Sequence, residues 1–501
     1  MTFEIDVTKD SHLDARALIG LSDPAARLRI ERGIVERLGE RREMLLRCLH
    51  ADGPPIYGAS TGVGAMKTYR VPEAAVRGFN RRLVRDHATG FGPLLRSEVA
   101  RLALGIRIIE LAQGGSGISP AVFAVLLAVY NAGLAPVMPA LGSVGEADIT
   151  LLAHLALSVQ GKGRVWRADG RIVSAGRALK AAGIVPAKLE MRDGLALIGS
   201  NACMAAVVVT DLSDFRRIRD AAVLVTGLSW VAWRANPTAL REEVLDLVSP
   251  QAAEMGQAIW SWIADTAVDP RDIQDPLSWR SAPHVLGVAE QAARELASAV
   301  ERMVWAARDN PVVLGGGDVV SNGNFDATDV ALRIDGLRGA VLRIMAQQAQ
   351  RTAKLLNHHY SGLTPGLAAQ YGDAGLGLLD FNVSALMVEA QAMAQGPLLQ
   401  WGEVAEGIED YGSMASVAAV RLLHLLDLWQ TMTATEWAVA ARAVRLQDMA
   451  VRGTLADYLL ECPGGTPPYE QVRRLEERIA KGIVSPRGFA PNALSLSDES
   501  P

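Results

Sequence analysis

Cysteine is scarce in this chain: Cys48, Cys203 and Cys462 are the only three in 501 residues. Three widely separated thiols, odd in number and without metal-ligand spacing, exclude a disulfide framework and offer no zinc or redox site. An excess of basic charge is missing too. Lysine and arginine total 50 against 55 acids, a formal net charge of −5, which leaves no basic footprint for nucleic acid and no cationic run for a membrane surface. Half of the residues are hydrophobic, yet charges or glycines break each apolar run before it reaches the ~20 residues that span a bilayer. The opening Met-Thr-Phe-Glu-Ile-Asp-Val-Thr-Lys-Asp has neither the basic region nor the apolar core of a secretory signal. A cytoplasmic protein with no nucleic-acid and no membrane partner is expected. There is no internal repeat and no long low-complexity tract, and only the tail, residues 491–501, has the composition of a disordered segment.

What the chain does contain is arranged in two parts. Up to about residue 200, short apolar stretches alternate with turn signals such as Asp52-Gly53-Pro54-Pro55 and Gly114-Gly115-Ser116-Gly117, so residues 1–200 are expected to be loop-rich and to carry the active-site loops. Residues 201–490 differ. Ala205 to Trp233, His284 to Ala307, Asp326 to Leu356 and Gly412 to Val451 are long, rich in Ala and Leu, and nearly free of Pro, as helix propensity requires. In the third, apolar residues from Val330 to Met345 fall on more than one face, the pattern of a helix buried on several sides. An all-α chain with a helical bundle and C-terminal helices follows.

A series of short motifs runs through both parts. Tyr57-Gly58-Ala59-Ser60-Thr61-Gly62-Val63-Gly64 comes first, then Arg82-Leu83-Val84-Arg85-Asp86-His87-Ala88 and Gly142-Ser143-Val144-Gly145-Glu146-Ala147-Asp148 with Leu152-Ala153-His154. Gln274-Asp275-Pro276-Leu277-Ser278-Trp279-Arg280, Asp309-Asn310-Pro311 with Gly323-Asn324-Phe325, and Glu409-Asp410-Tyr411-Gly412-Ser413-Met414 complete it. In order and spacing these resemble the motifs of the histidine and aromatic amino-acid ammonia-lyases. The resemblance implies their L-aspartase-like fold with a long central helical bundle, and a homotetramer whose active sites each draw on three chains.

One segment departs from that pattern. In the family, Gly-Ser-Val-Gly is followed by Ala-Ser-Gly, which cyclises and loses water to give the methylidene-imidazolone electrophile (MIO). Here Glu146-Ala147 stands in its place, one residue shorter and without serine. Because the serine supplies the exocyclic methylene, the MIO prosthetic group is expected to be absent, leaving no cofactor and no metal. Three further positions change with it. Leu277 replaces the family tyrosine beside the electrophile, Ile408 replaces a glutamine, and Gly199-Ser200-Asn201 stands where the family has Asn-Gly-Thr. That asparagine is either lost or displaced by two places. Polar supports left around a missing group would cost roughly 1–3 kcal/mol each, so their joint replacement suits a remodelled site.

The residues kept from the family motifs define the candidate site. Tyr57 matches the tyrosine that removes a proton from substrate, a task for which nearby positive charge must lower a phenol from about 10. Arg280 matches the arginine that clamps the substrate carboxylate through its planar fork, the alternative being an ion pair with Asp275. Asn310 and Phe325 lie in matched motifs, and for Asn310 a turn-forming role beside Pro311 stands equally. His87 and Asp86 fall where the family contacts the substrate's ring, with Asp86, Glu403, Glu406 and Glu409 adding negative charge that suits a ligand with a cationic group. Glu146, expected just before a helix starting near Asp148, is held ionised there by the helix N-terminus and is either a catalytic carboxylate or a cap. His154 is expected to be structural, and His358-His359, one residue apart, face different sides and form no metal site.

The preferred reading is an MIO-independent enzyme that moves protons on a carboxylated, amino-acid-like small molecule, by elimination, conjugate addition or cyclisation. Tyr57, Glu409 and Glu146 would be its catalytic groups, and Arg280, His87, Asp86, Leu277, Asn310 and Phe325 its substrate contacts. A non-catalytic ligand-binding or regulatory homologue is the alternative, and a conventional histidine or aromatic amino-acid ammonia-lyase the third reading.

Overall fold

The structure, a computed structural model, describes residues 3–49, 54–370, 372–395, 402–459 and 466–483. Cys462 and the tail 491–501 lie outside the described residues. Among the described residues twelve helices reach ten residues or more. The front of the chain supplies α1 (Arg32–Cys48), α2 (Val76–His87), α3 (Ser97–Ala112), α4 (Pro120–Asn131) and α5 (Ile149–Val159). Then come α6 (Ala202–Trp233), α7 (Pro250–Ile263), α8 (Ala282–Val304), α9 (Thr328–Leu356), α10 (Leu379–Met393), α11 (Ala415–Leu446) and α12 (Pro468–Ala480). Among the described residues the strands form small sheets of two or three, such as Phe3–Val7 paired in parallel with Ala26–Ile30.

The four long helices read from composition are α6, α8, α9 and α11, each within a few residues of its expected bounds. The front is more helical than expected. Its Gly and Pro clusters do mark connections, but the stretches between them include α3, buried without a break from Val99 to Ala112. A helix buried on every side has no one-sided apolar stripe, so its sequence lacks the 3.6-residue signal of an amphipathic helix. Local signals fix the starts of others: Ser119 Oγ accepts from Val122 N at 3.4 Å with Pro120 in the first turn of α4, and Ser249 does the same before Pro250 of α7.

Two compact units result. The first comprises residues 1–210, 297–334 and 397–420, the second 211–296, 335–396 and 421–501. The first unit is built from three separate stretches, since 297–334 and 397–420 return to residues 1–210. In the first unit, α3 carries charge into the core. Arg107 bonds Asp309 at 2.9 Å and Glu110 at 3.0 Å with all three side chains buried. Arg192 donates to the carbonyls of Ser116, Asn310 and Pro311 at 3.0, 3.1 and 2.9 Å, and burial pushes its guanidinium down to about 10. In the second unit, Arg351 grips Glu436 with Nε–Oε1 2.5 Å and Nη2–Oε2 3.0 Å, and its Nη1 donates to the Ser278 carbonyl at 2.7 Å. Trp279 stacks on Trp233 with ring centroids 4.6 Å apart and donates to the Ser229 carbonyl at 3.1 Å. Residues 193–233 are long and apolar enough to cross a membrane by length and composition, but 94% of the most apolar 18-residue stretch within them is buried, as in a core helix.

Candidate active site

The segment Gly142–Asp148 is an ordered loop built against the first turns of α6 and α11. Gly145 has φ +94°, and a Cβ there would lie 2.3 Å from Ser413 Oγ and 2.7 Å from Met414 N, so only glycine fits. Ala147 also takes a left-handed conformation, at φ +83°. The Gly145 carbonyl accepts from Asn201 Nδ2 at 2.9 Å and from Ser413 Oγ at 3.1 Å, while Met414 N donates to the Val144 carbonyl at 2.9 Å. Asn201 thus occupies the loop from a position two residues later than the family motif places its asparagine. Asp148 is fully buried, its carboxylate accepting from Ser416 Oγ at 2.6 Å and Met204 N at 2.9 Å, and it anchors the loop to α6 and α11. Burial pushes that carboxyl above the ordinary range, against the pull of those donors.

Glu146 differs from its expected state. It neither caps α5 nor sits in a field that favours its charge: Asp148 is the residue before α5, and Glu146 Oε1 accepts from Ser413 N at 2.8 Å. Burial raises its carboxyl above the usual range and the neighbouring Asp326 raises it further, with the Ser413 N–H pulling the other way. The helix start that was expected to hold the charge is occupied by Asp148.

Tyr57, Glu409 and His87 come together in the same unit. The Tyr57 loop packs tightly, since a Cβ on Gly58 at φ +64° would lie 2.2 Å from Leu195 Cδ2. Gly64 N donates to Tyr57 Oη at 2.7 Å. Burial pushes the phenol above 10, the Glu409 carboxylate pushes it further, and the Gly64 N–H and Arg192 oppose them. The condition for a resting phenolate is therefore not met within this chain. Glu409, half-buried in the 402–414 loop, is itself raised by burial and lowered by His87. His87 ends α2, with Nδ1 2.7 Å from the Leu83 carbonyl. Its neighbour Asp86 is not part of this cluster. Asp86 is exposed and accepts from Arg85 Nε at 2.7 Å, which holds its carboxyl low. Helix α2 ends here, so adjacent residues point apart. Glu403 and Glu406 are exposed as well, on a turn where Ala405 and Glu406 have φ of +53° and +55°.

Arg308 was not singled out from sequence, although it directly precedes Asp309-Asn310-Pro311. It lines an open cleft of about 330 Å³ with Arg302, Met303, Asn324, Asp326 and Asp329. It also borders a pocket of about 10 Å³, room for a single water, with Arg107, Glu110, Ser200, Asn201 and Asp309. Burial lowers the guanidinium, and Glu110, Asp326 and Glu146 counteract it. Asn310 serves the turn: its Oδ1 accepts from Asn322 N at 3.1 Å. Phe325 is half-buried in the same 321–327 connection.

Arg280 and Leu277 belong to the second unit. Arg280 makes no ion pair with Asp275; its Nε donates to the Asp275 carbonyl at 2.6 Å, and the Asp275 carboxylate accepts from Asn236 N at 2.7 Å. With the Gln274 amide oxygen turned toward it, the guanidinium also donates through Nη1 at 3.0 Å and Nη2 at 3.2 Å. Leu277 opens the short helix Leu277–Arg280 and is 66% exposed.

Comparison with known proteins gives the family of the chain. Residues 13–461 match the aromatic amino acid lyase family. The chain belongs to that family. Histidine ammonia-lyase from Streptomyces coelicolor is 33% identical over 457 residues, which is 88% of each chain. Among solved structures, the ergothioneine-degrading enzyme ergothionase from Treponema denticola superposes with a TM-score of 0.91 at 24% identity, covering 96% of this chain and 99% of that one. Phenylalanine aminomutase from Pantoea agglomerans gives 0.88 at 23%, covering 95% and 99%. The lyase fold expected from the motifs is therefore the fold of this chain.

Proposed function

We propose that this lyase works without the MIO electrophile, eliminating an already activated amine from a carboxylated, amino-acid-like substrate by proton transfer. The loop Gly145-Glu146-Ala147-Asp148 carries the reading. It offers no serine to lose water, the Gly145 carbonyl already accepts two hydrogen bonds, and the Glu146 side chain is latched to Ser413. These residues do not fit the MIO group.

The rest of the site supports a proton path. Tyr57 holds its proton at rest, since burial and Glu409 both raise the phenol. A cationic nitrogen brought in by substrate supplies the missing positive charge. Glu409 then takes the phenol's proton, Tyr57 Oη takes a proton from the carbon next to the C–N carbon, and the freed C–H pair becomes the double bond. The C–N pair departs with the amine. A quaternary amine leaves neutral and has no N–H to lose, whereas a base deprotonates the ammonium of free histidine, phenylalanine or tyrosine before the far less acidic β-proton, so this pair does not deaminate them. Arg280 is assigned to the substrate carboxylate. The working assembly in this reading is a cytoplasmic homotetramer with shared sites, for which light scattering should give four chains; a stable monomer would count against it.

Ergothioneine, an amino-acid betaine with a quaternary nitrogen, is the first substrate to test, given the ergothioneine-degrading enzyme among the structural neighbours. Amine release from it is expected, with no urocanate from histidine and no cinnamates from phenylalanine or tyrosine. The intact mass should equal that of the sequence. Clear turnover of histidine, or a mass short by two waters, overturns the reading. Tyr57's raised phenol favours one other possibility, a ligand-binding homologue, for which binding without turnover of any betaine or amino acid is the expected result.

A further inference from the structure

We propose that Gly407 is a positioning residue: by completing the left-handed turn Ala405-Glu406-Gly407 it fixes the segment that carries Glu409 and holds that segment against the loop of Tyr57. The inference rests on the proton-transfer reading above and names what brings two of its groups together.

The turn closes a narrow hairpin. Val404 N donates to the Glu409 carbonyl at 2.9 Å, and Glu409 N donates to the Val404 carbonyl at 3.2 Å. Inside that pair, Ile408 N donates to the Ala405 carbonyl at 3.3 Å across Glu406 and Gly407. Both central residues have positive φ, +55° and +80°, as a type I′ turn requires. Ala405 before them is left-handed as well, at +53°. Most side chains resist that region, so Gly407 is the one residue of the three that takes it without strain. A Cβ on Gly407 would lie 3.1 Å from Glu403 Oε2, the end of a long exposed side chain that can move aside. Backbone conformation, rather than space, is therefore what calls for glycine.

The hairpin reaches the Tyr57 loop through Ala405. The nearest atom that a Cβ on Gly64 would meet is Ala405 Cβ, at 3.5 Å, and the same Gly64 donates through its N–H to Tyr57 Oη at 2.7 Å. The chain beyond Glu409 is pinned elsewhere: Tyr411 Oη lies 2.6 Å from Thr328 Oγ1, Ser413 N donates to Glu146 Oε1 at 2.8 Å, and Met414 N donates to the Val144 carbonyl at 2.9 Å. Glu409 thus lies between a fixed far end and the turn, and the turn sets how its backbone approaches Tyr57. The upward push of Glu409 on the Tyr57 phenol is in keeping with that approach. Ala405 and Glu406 stay left-handed because the paired backbone bonds and the Gly64 contact over-determine them, the setting in which strain at a functional site persists.

The test is hydrogen–deuterium exchange of the purified protein without substrate, read by mass spectrometry for segments 57–66, 402–412 and 97–112. Gly407→Ala places a side chain where φ is +80°, so exchange across 402–412 should quicken by about tenfold. Exchange in 57–66 should quicken with it, because Ala405 then no longer backs Gly64, while 97–112, the buried helix α3, stays as it was. Asparagine accepts the left-handed region more readily than glutamate, so adding Glu406→Asn to Gly407→Ala should slow both segments again. Where turnover is measured, Gly407→Ala should lower kcat by about tenfold and leave KM within about twofold, and the added Glu406→Asn should raise kcat in step with the exchange. Quickened exchange in 402–412 with 57–66 unmoved overturns the proposal, as does a fall in kcat that the second substitution does not reverse. The exchange measurement needs no turnover, so its failure is separable from a failure of the elimination reading.

Discussion

Tyr57→Phe is expected to lower kcat by about 10³-fold while leaving ligand affinity within about twofold, the range general acid–base groups contribute. The substitution deletes one hydroxyl from a ring whose loop is held by other contacts, including Gly58 packed on Leu195. It leaves the Gly64 N–H, which donates to Tyr57 Oη at 2.7 Å, without that acceptor, a loss of order 1 kcal/mol beside an active-site effect near 4 kcal/mol. Rate therefore falls far more than stability. The pH dependence has a definite sign: Glu409 must be ionised to accept the phenol's proton, so activity rises as pH climbs through its carboxyl. Burial places that limb above the ordinary carboxylate range, with His87 pulling it back. Arg280→Lys should instead act mainly on KM, because a point charge replaces a planar fork. Stopped-assay kcat and KM for both variants, alongside calorimetric affinity, separate the two effects. Full activity in Tyr57→Phe would end the proton-transfer proposal.

Much of this was legible because the relevant signals are local or ordered along the chain. The four long helices follow from Ala- and Leu-rich runs without proline, and the family from motifs in sequence order. Asn201 could be flagged as displaced, but that its amide reaches the Gly145 carbonyl depends on a contact 56 residues away in sequence. Glu146 shows the same limit more sharply. Its sequence neighbours point to a helix start and an ionised state, while its carboxyl is raised first by burial in the fold and is held by Ser413, distant in sequence. Arg308 was passed over for a related reason: it is one arginine among many until the fold sets it in the wall of an open cleft and against three acids. Asp86 and His87, adjacent and both polar, are separated only by the direction each takes at the end of α2.

Arg351→Ala is expected to destabilise the second unit by about 3–5 kcal/mol, the cost of leaving a buried charge without its partner. Glu436 is fully buried, accepts two bonds from this guanidinium, and has Ser229 Oγ at 2.6 Å as a further donor, too little to hold a carboxylate away from water. The loss should also reach the site. Arg351 Nη1 donates to the Ser278 carbonyl, two residues before Arg280, while Trp279 between them is locked by its stack on Trp233. Freed from one of these two holds, Arg280 should lose part of its alignment, so the variant is expected to raise KM in the direction of Arg280→Lys even where the protein remains folded. Urea denaturation measures the first effect and steady-state kinetics the second. Replacing both partners, as Arg351→Met with Glu436→Leu, removes the buried charges together and should recover most of the stability without restoring the Ser278 contact. Stability would then return while KM stays high. A single Arg351→Ala variant within about 1 kcal/mol of the parent chain would show that water reaches Glu436 and that this pair does not organise the Arg280 segment.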